Sequence, residues 1–147
     1  MKKTRVLFLC SANSCRSQMA EAFLRDYAGE HFEVQSAGME PAERIHPMAR
    51  QVMAEVGLDL EGQETSEMEQ HLGSVATGYV IIVCGQTAEK CPKTWPGVMQ
   101  RLVWPFENPV QCDGSEEERR EKFREVRDKI DERIRSWLRE QAIEPSA

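Results

Sequence analysis

No stretch of this chain is apolar for long enough to cross a bilayer, which takes about 20 residues. The strongest apolar runs, Val6 to Leu9 and Tyr79 to Val83, each end within a few residues. A basic surplus is also missing: 19 Lys and Arg face 25 Asp and Glu, a formal charge of −6. That balance argues against generic binding to nucleic acid or acidic membranes, although one loop can still oppose it locally. There are no internal repeats and no linker rich in Pro, Gly or Ser, so residues 1–147 are expected to form one domain with its own core. The start, Met-Lys-Lys-Thr-Arg, is basic like a signal peptide, but Ser11 and Asn13 interrupt the short run behind it. The expectation is therefore a cytoplasmic protein. His31, His46 and His71 are scattered and no Cys-x2-Cys occurs, which speaks against structural zinc. Five cysteines, Cys10, Cys15, Cys84, Cys91 and Cys112, make an odd set. In a reducing compartment such a set points to thiol chemistry at some positions rather than to a disulfide framework.

What is present reads as strands alternating with helices. Residues 4–9 form a buried strand pattern, and 16–28 a helix with Met19, Ala20, Phe23, Leu24 and Tyr27 on one face and Gly29 at its end. Phe32 to Ala37 is a second strand closed by Gly38, and Pro47 to Val56 a helix stopped by Gly57. Thr65-Ser66-Glu67 is expected to open a shorter helix, with Thr65 or Ser66 as its cap. Tyr79 to Val83 should be a central strand and Arg101 to Trp104 a fourth. Ser115 opens a long helix to about Arg139 with a capping box at its start, and the tail after Gln141 is expected to fray. The pattern predicts an α/β, three-layer protein with a flavodoxin-like four-stranded parallel sheet, order 2-1-3-4, and helices on both faces. Ligands of such sheets bind beyond the carboxyl ends of the strands. Cys10 and Cys84 both fall at such ends, on neighbouring strands.

Cys10 ends the first strand, and Arg16 follows after a loop of small residues, Ser11, Ala12, Asn13, Ser14 and Cys15. Ser17 then begins a helix pattern. Unpaired N–H groups and the helix dipole favour an anion at such a junction. The same field lowers the pKa of a thiol and makes it a ready nucleophile. The Arg16 guanidinium can hold two oxygens of a tetrahedral oxyanion. Ser17 is placed to donate its hydroxyl to the Cys10 thiolate, and Cys15 is expected to face away as a small packing residue. Taken alone, Cys-x5-Arg is a common accident; on a strand–loop–helix junction it is much more specific.

Cys84 and Cys91 follow the third strand with six residues between them. A disulfide needs Cα atoms about 5.5 Å apart. Seven residues of rigid helix rise about 10 Å. If the two cysteines pair, the segment must loop back or change shape; otherwise they are unrelated, one packed and one exposed. After the fourth strand comes Trp104-Pro-Phe-Glu-Asn-Pro109, a place from which an acid could protonate a leaving oxygen. Asn108 cannot act as that acid; Glu107 can. Cys112 lies in a turn sequence and is assigned no chemistry.

These features together resemble the thioredoxin-coupled arsenate reductases, which share the low-molecular-weight tyrosine phosphatase fold. The likeness runs from Val6 to the Glu121–Asp128 stretch. Cys10-Ser-Ala-Asn-Ser-Cys-Arg-Ser-Gln-Met-Ala-Glu matches the phosphate-type loop, and Cys84 and Cys91 fall at the two redox cysteines that plain phosphatases lack. The resemblance implies that arsenate is held by loop amides and Arg16. It further implies that Cys10, Cys84 and Cys91 relay two electrons, and that thioredoxin reduces the final disulfide. It places an acid Asp where this chain has Asn108. It also implies a potassium ion near the loop, with Asn13, Glu21, Ser36 and Thr65 at ligand positions and Glu67 where Asp is more usual. The expectation is a monomer with no obligatory cofactor. Two other readings use the same residues. One is a phosphotyrosine phosphatase whose extra cysteines guard Cys10 against oxidation, against which Asn108 counts. The other is a non-enzymatic arsenite or redox sensor with three soft thiol ligands.

Overall fold

The computed structural model describes residues 3–67, 76–84 and 97–144. Strand β1 is Thr4–Cys10, helix α1 Arg16–Ala28, β2 Phe32–Gly38, α2 Pro47–Glu55, β3 Thr77–Ile82, β4 Val98–Val103 and α3 Glu116–Glu140. A short 3-10 turn, Pro109–Gln111, precedes the last helix. The four strands form one parallel sheet in the order β2-β1-β3-β4. The expected order is thus the observed one, and β1 lies between β2 and β3.

β1 is buried on both faces, which is why its sequence is continuously apolar rather than alternating. Val6 and Phe8 join a core built with all three described helices, among them Phe23 and Leu24 of α1, Val52 of α2, and Ile130 and Trp137 of α3. Leu7 and Leu9 point the other way, into a second fully buried cluster with Val80 and Ile82. The strand alternation therefore divides one apolar run between two faces. Trp137 closes the first core near the chain's end, with ring centroids 5.3 Å from Phe32, 5.1 Å from Tyr79 and 5.9 Å from Trp104.

Local details add to or depart from these expectations. β3 and β4 start earlier than their most apolar residues, at Thr77 and Val98, because ladder pairing extends through Thr77 opposite Val98. Thr65, Ser66 and Glu67 are themselves non-helical, and the helix expected to follow them falls on residues outside the described ones. The Ser66 hydroxyl donates to the Ser36 carbonyl at 2.8 Å, and Glu67 bridges Gly38, so this stretch runs alongside β2. Residues 68–75 lie outside the described residues. The tail does not fray at Gln141. Ala142 turns left-handed at φ 58, and Ile143 donates its N–H to the Leu138 carbonyl at 2.9 Å and packs on the core. That is a Schellman close made without glycine. The opening of α3 is as expected: Ser115 and Glu118 form a reciprocal capping box.

Candidate active site

The loop between β1 and α1 is shaped by what holds its carbonyls. Those of Cys10, Ser11, Ala12 and Ser14 accept backbone N–H bonds from Met39, Glu40, Ala42 and His46, at 3.3, 2.9, 2.8 and 2.8 Å. The Asn13 carbonyl accepts from Gln18 Nε2 at 3.0 Å. In a trans peptide the next residue's N–H points opposite to the carbonyl. Tying five carbonyls outward therefore turns the N–H groups of residues 11–15 inward, a cradle for an anion. Asn13 has φ 52, a left-handed geometry that Asn tolerates better than most residues. It is fully buried and held by its own side chain: Nδ2 donates to Ser17 Oγ at 2.8 Å and to Ser36 Oγ at 3.0 Å, and Oδ1 accepts the Ser66 N–H at 2.9 Å. Gly38 makes the close approach possible. A Cβ there would lie 2.8 Å from the Ser11 carbonyl oxygen and 3.0 Å from Asn13 N.

Cys10 and Cys84 both sit at the carboxyl ends of adjacent strands and are each 2% exposed. Hydrogen bonding from the Cys84 side chain, followed by burial, pushes the Cys10 thiol well above its ordinary pKa, against the lowering effect of the Arg16 charge. This corrects the expectation of a lowered pKa: the loop's positive field acts in the expected direction, but a neighbouring sulfur and burial outweigh it. Burial likewise raises the Cys15 thiol, which packs in the core as expected and makes no side-chain cap for α1. Ser17 Oγ accepts from Asn13, which leaves its own proton to donate. Cys91, the third cysteine of the expected relay, lies outside the described residues.

Arg16 is 5% exposed. Its Nη1 donates to the Phe106 carbonyl at 3.0 Å, so the segment after β4 does reach the loop. Its Nε is buried with no partner, an unfilled donor beside the inward-turned amides. Asn108 and Glu107, the two residues weighed for the acid position, each have another partner. Asn108 Oδ1 accepts the Val110 N–H at 3.1 Å and caps the 3-10 turn. Glu107 ion-pairs with Lys122 of α3 at 3.2 Å. Cys112 Sγ donates to the neighbouring Asp113 carbonyl at 3.3 Å.

The expected potassium ligands come together, but around a cation already in the chain. Ser36 Oγ donates to Glu21 Oε1, and Arg25 Nη2 donates to Glu21 Oε2, both at 2.5 Å. Glu21, Ser36 and Thr65 border one open cleft of about 760 Å³, and Arg25 lies in its wall. The carboxylate that would anchor a potassium ion thus faces a donor at each oxygen. These residues fit a further monovalent cation poorly as they stand. Gln18, Gln63, Arg25 and the connection from Met39 to His46 were not singled out from sequence. Only the spacing of Glu21 and Arg25 on one helix face could have hinted at their pairing.

A parallel α/β sheet with an oxyanion loop of the Cys-x5-Arg type at its first strand end defines the class of protein. Residues 5–146 match the low molecular weight phosphotyrosine protein phosphatase family, and the chain belongs to that family. It is 40% identical over 137 residues to the arsenate reductase of Halalkalibacterium halodurans, covering 93% of this chain and 96% of that protein. A solved arsenate reductase in the phosphate binding state superposes with a TM-score of 0.74 at 32% identity, over 93% of this chain and 98% of that one. The thioredoxin-dependent arsenate reductase of Corynebacterium glutamicum gives a TM-score of 0.69 at 30% identity, over 94% of this chain and 61% of that one.

Proposed function

We propose that this protein reduces arsenate to arsenite through Cys10, Cys84 and Cys91 and is returned to its thiol form by thioredoxin. The observation that carries the reading is the placement of two buried thiols, Cys10 and Cys84, at the carboxyl ends of adjacent strands beside the Cys-x5-Arg loop. Phosphate-ester hydrolysis itself needs the first sulfur but not the second, whereas a thiol relay needs both. The arsenate reductases among its relatives, one of them thioredoxin-dependent by name, support the same reading.

Arsenate enters the cradle of inward N–H groups and meets the unfilled Nε of Arg16. The Cys10 thiolate attacks arsenic, a sulfur–arsenic bond forms, and an oxygen leaves as water after taking up protons. With Asn108 in a capping bond, those protons come from the substrate's own hydroxyls or from solvent. Cys84 as thiolate then attacks the Cys10 sulfur. The sulfur–arsenic bond breaks, its electron pair stays on arsenic, and arsenite departs as a Cys10–Cys84 disulfide forms. Cys91 attacks Cys84, releasing the Cys10 thiolate and leaving a Cys84–Cys91 disulfide. The thioredoxin dithiol takes over that oxidation. Cys84 attacks a sulfur bonded to arsenic, whereas Cys91 and thioredoxin attack disulfide sulfurs, and the two electrons gained by arsenic equal those lost by two thiols.

The test is arsenate turnover with thioredoxin, thioredoxin reductase and NADPH, in wild type, Cys84→Ser and Cys91→Ser. Both variants should lose multiple turnover, while Cys91→Ser still releases about one arsenite per chain in a single round. Full cycling by Cys84→Ser would overturn the relay. Aryl phosphate hydrolysis that neither change affects, without arsenate reduction, would favour a phosphatase; tight arsenite binding without turnover would favour a sensor.

A further inference from the structure

We propose that Arg25 is the built-in cation of the oxyanion loop, standing in the place that a monovalent metal ion would otherwise take. Six side chains close a ring behind the loop. Arg25 Nη2 donates to Glu21 Oε2 at 2.5 Å, Ser36 Oγ to Glu21 Oε1 at 2.5 Å, and Asn13 Nδ2 to Ser36 Oγ at 3.0 Å. From Asn13 the ring continues through its main chain, whose carbonyl accepts from Gln18 Nε2 at 3.0 Å. Gln63 Nε2 donates to Gln18 Oε1 at 2.7 Å, and Arg25 Nη1 returns to Gln63 Oε1 at 3.1 Å. Arg25 Nη2 also reaches the Val34 carbonyl at 2.7 Å, fixing the guanidinium against β2.

The ring has one loop residue in it, Asn13, which carries the left-handed backbone geometry of the cradle. A planar guanidinium with several donors can bridge a carboxylate, an amide oxygen and a main-chain carbonyl at once. A potassium ion would need those same oxygens. Glu21 Oε1 and Oε2 already accept from Ser36 and Arg25, and Asn13 Oδ1 from the Ser66 N–H. A second positive charge within a few ångströms of the guanidinium would also be repelled. Arg25 touches no substrate; it is a positioning residue acting through Glu21, Ser36 and Asn13. The inference does not depend on which oxyanion reaction the loop serves.

Two measurements test it. The first is thermal unfolding of the wild type in potassium, sodium and choline chloride at one ionic strength. Equal Tm values are expected. A potassium-specific rise of about 3 °C or more would mean that a metal ion binds beside Arg25 and would overturn the proposal. The second is inorganic phosphate binding by calorimetry to Arg25→Lys and Arg25→Gln, with circular dichroism to show that each is folded. Lysine keeps the charge and is expected to stay within about three-fold of wild type, while glutamine weakens binding about ten-fold or more. Equal affinities for the two variants would overturn the proposal, since charge would then be irrelevant. If Arg25→Gln fails to fold, Arg25→Lys and the salt comparison still decide. Failure of phosphate to bind the wild type would count against the oxyanion loop itself and leave the salt comparison to judge Arg25.

Discussion

The loop from Cys10 to Arg16 has carbonyls tied outward by the connection after β2, whereas the segment from Trp104 to Pro109 reaches Arg16 through the Phe106 carbonyl. The first region is built to bind an anion and present sulfur. In the second, the side chain at the acid position is engaged in a backbone cap. The arrangement suits a substrate that carries its own protons better than an aryl phosphate whose leaving oxygen needs one.

Restoring the second region is the strongest way to break this contrast. Asn108→Asp is expected to raise p-nitrophenyl phosphate hydrolysis by about 10²–10⁴-fold while changing arsenate turnover far less. No increase would mean that protons reach the leaving oxygen by a route that bypasses residue 108.

A second experiment sharpens the view of the first region. Cys84→Ala removes the hydrogen bond that contributes most to the raised Cys10 pKa. The Cys10 thiolate should then form at lower pH, so iodoacetamide labelling of Cys10 at neutral pH should be faster than in wild type. With both thiols present, Cys10 labelling should climb with pH above neutrality. A pH profile unchanged by Cys84→Ala would mean that burial alone raises the Cys10 thiol.

Gly38→Ala brings a Cβ against the Ser11 carbonyl and Asn13. The expected cost is about 1–3 kcal/mol in urea unfolding, with phosphate affinity reduced because the cradle must shift. An equivalent change at Gly57, where a Cβ meets nothing within 4 Å but φ is +81, should strain the backbone without affecting phosphate binding.

The smallest effect lies outside both regions. Glu55 accepts bonds from Arg124 and Arg127, and Arg124 foremost holds its carboxyl down at about 2 from 4.5. A native pKa below the unfolded one stabilises the fold above pH about 4.5 and loses that contribution as pH falls towards 2. Because Glu55 is exposed, Glu55→Gln should cost less than about 1 kcal/mol at neutral pH. The difference from wild type should shrink to nothing in acid.

Most of the architecture was readable from local pattern. Continuous apolar strands, amphipathic helices and their Gly, Pro and Ser boundaries are short-range signals, and they placed Cys10 and Cys84 at neighbouring strand ends before any coordinates. The Ser66 hydroxyl suits a helix cap by residue type alone, whereas its bond to the Ser36 carbonyl joins residues 30 positions apart. Asn108 could be excluded as an acid from its side chain alone, but its capping bond depends on the turn around it.

Residue type and order thus specify a sulfur nucleophile, an arginine and a strand–loop–helix junction, because those depend on chain neighbours. How acidic the sulfur is, which cation steadies the loop and which carbonyls are turned away depend on groups distant in sequence. Cys84 lies 74 positions beyond Cys10 (84 − 10), Gln63 38 positions beyond Arg25, and Ser66 53 beyond Asn13. Hydrogen bonds and burial act over a few ångströms of space, so folding had to bring those partners together before their chemistry existed.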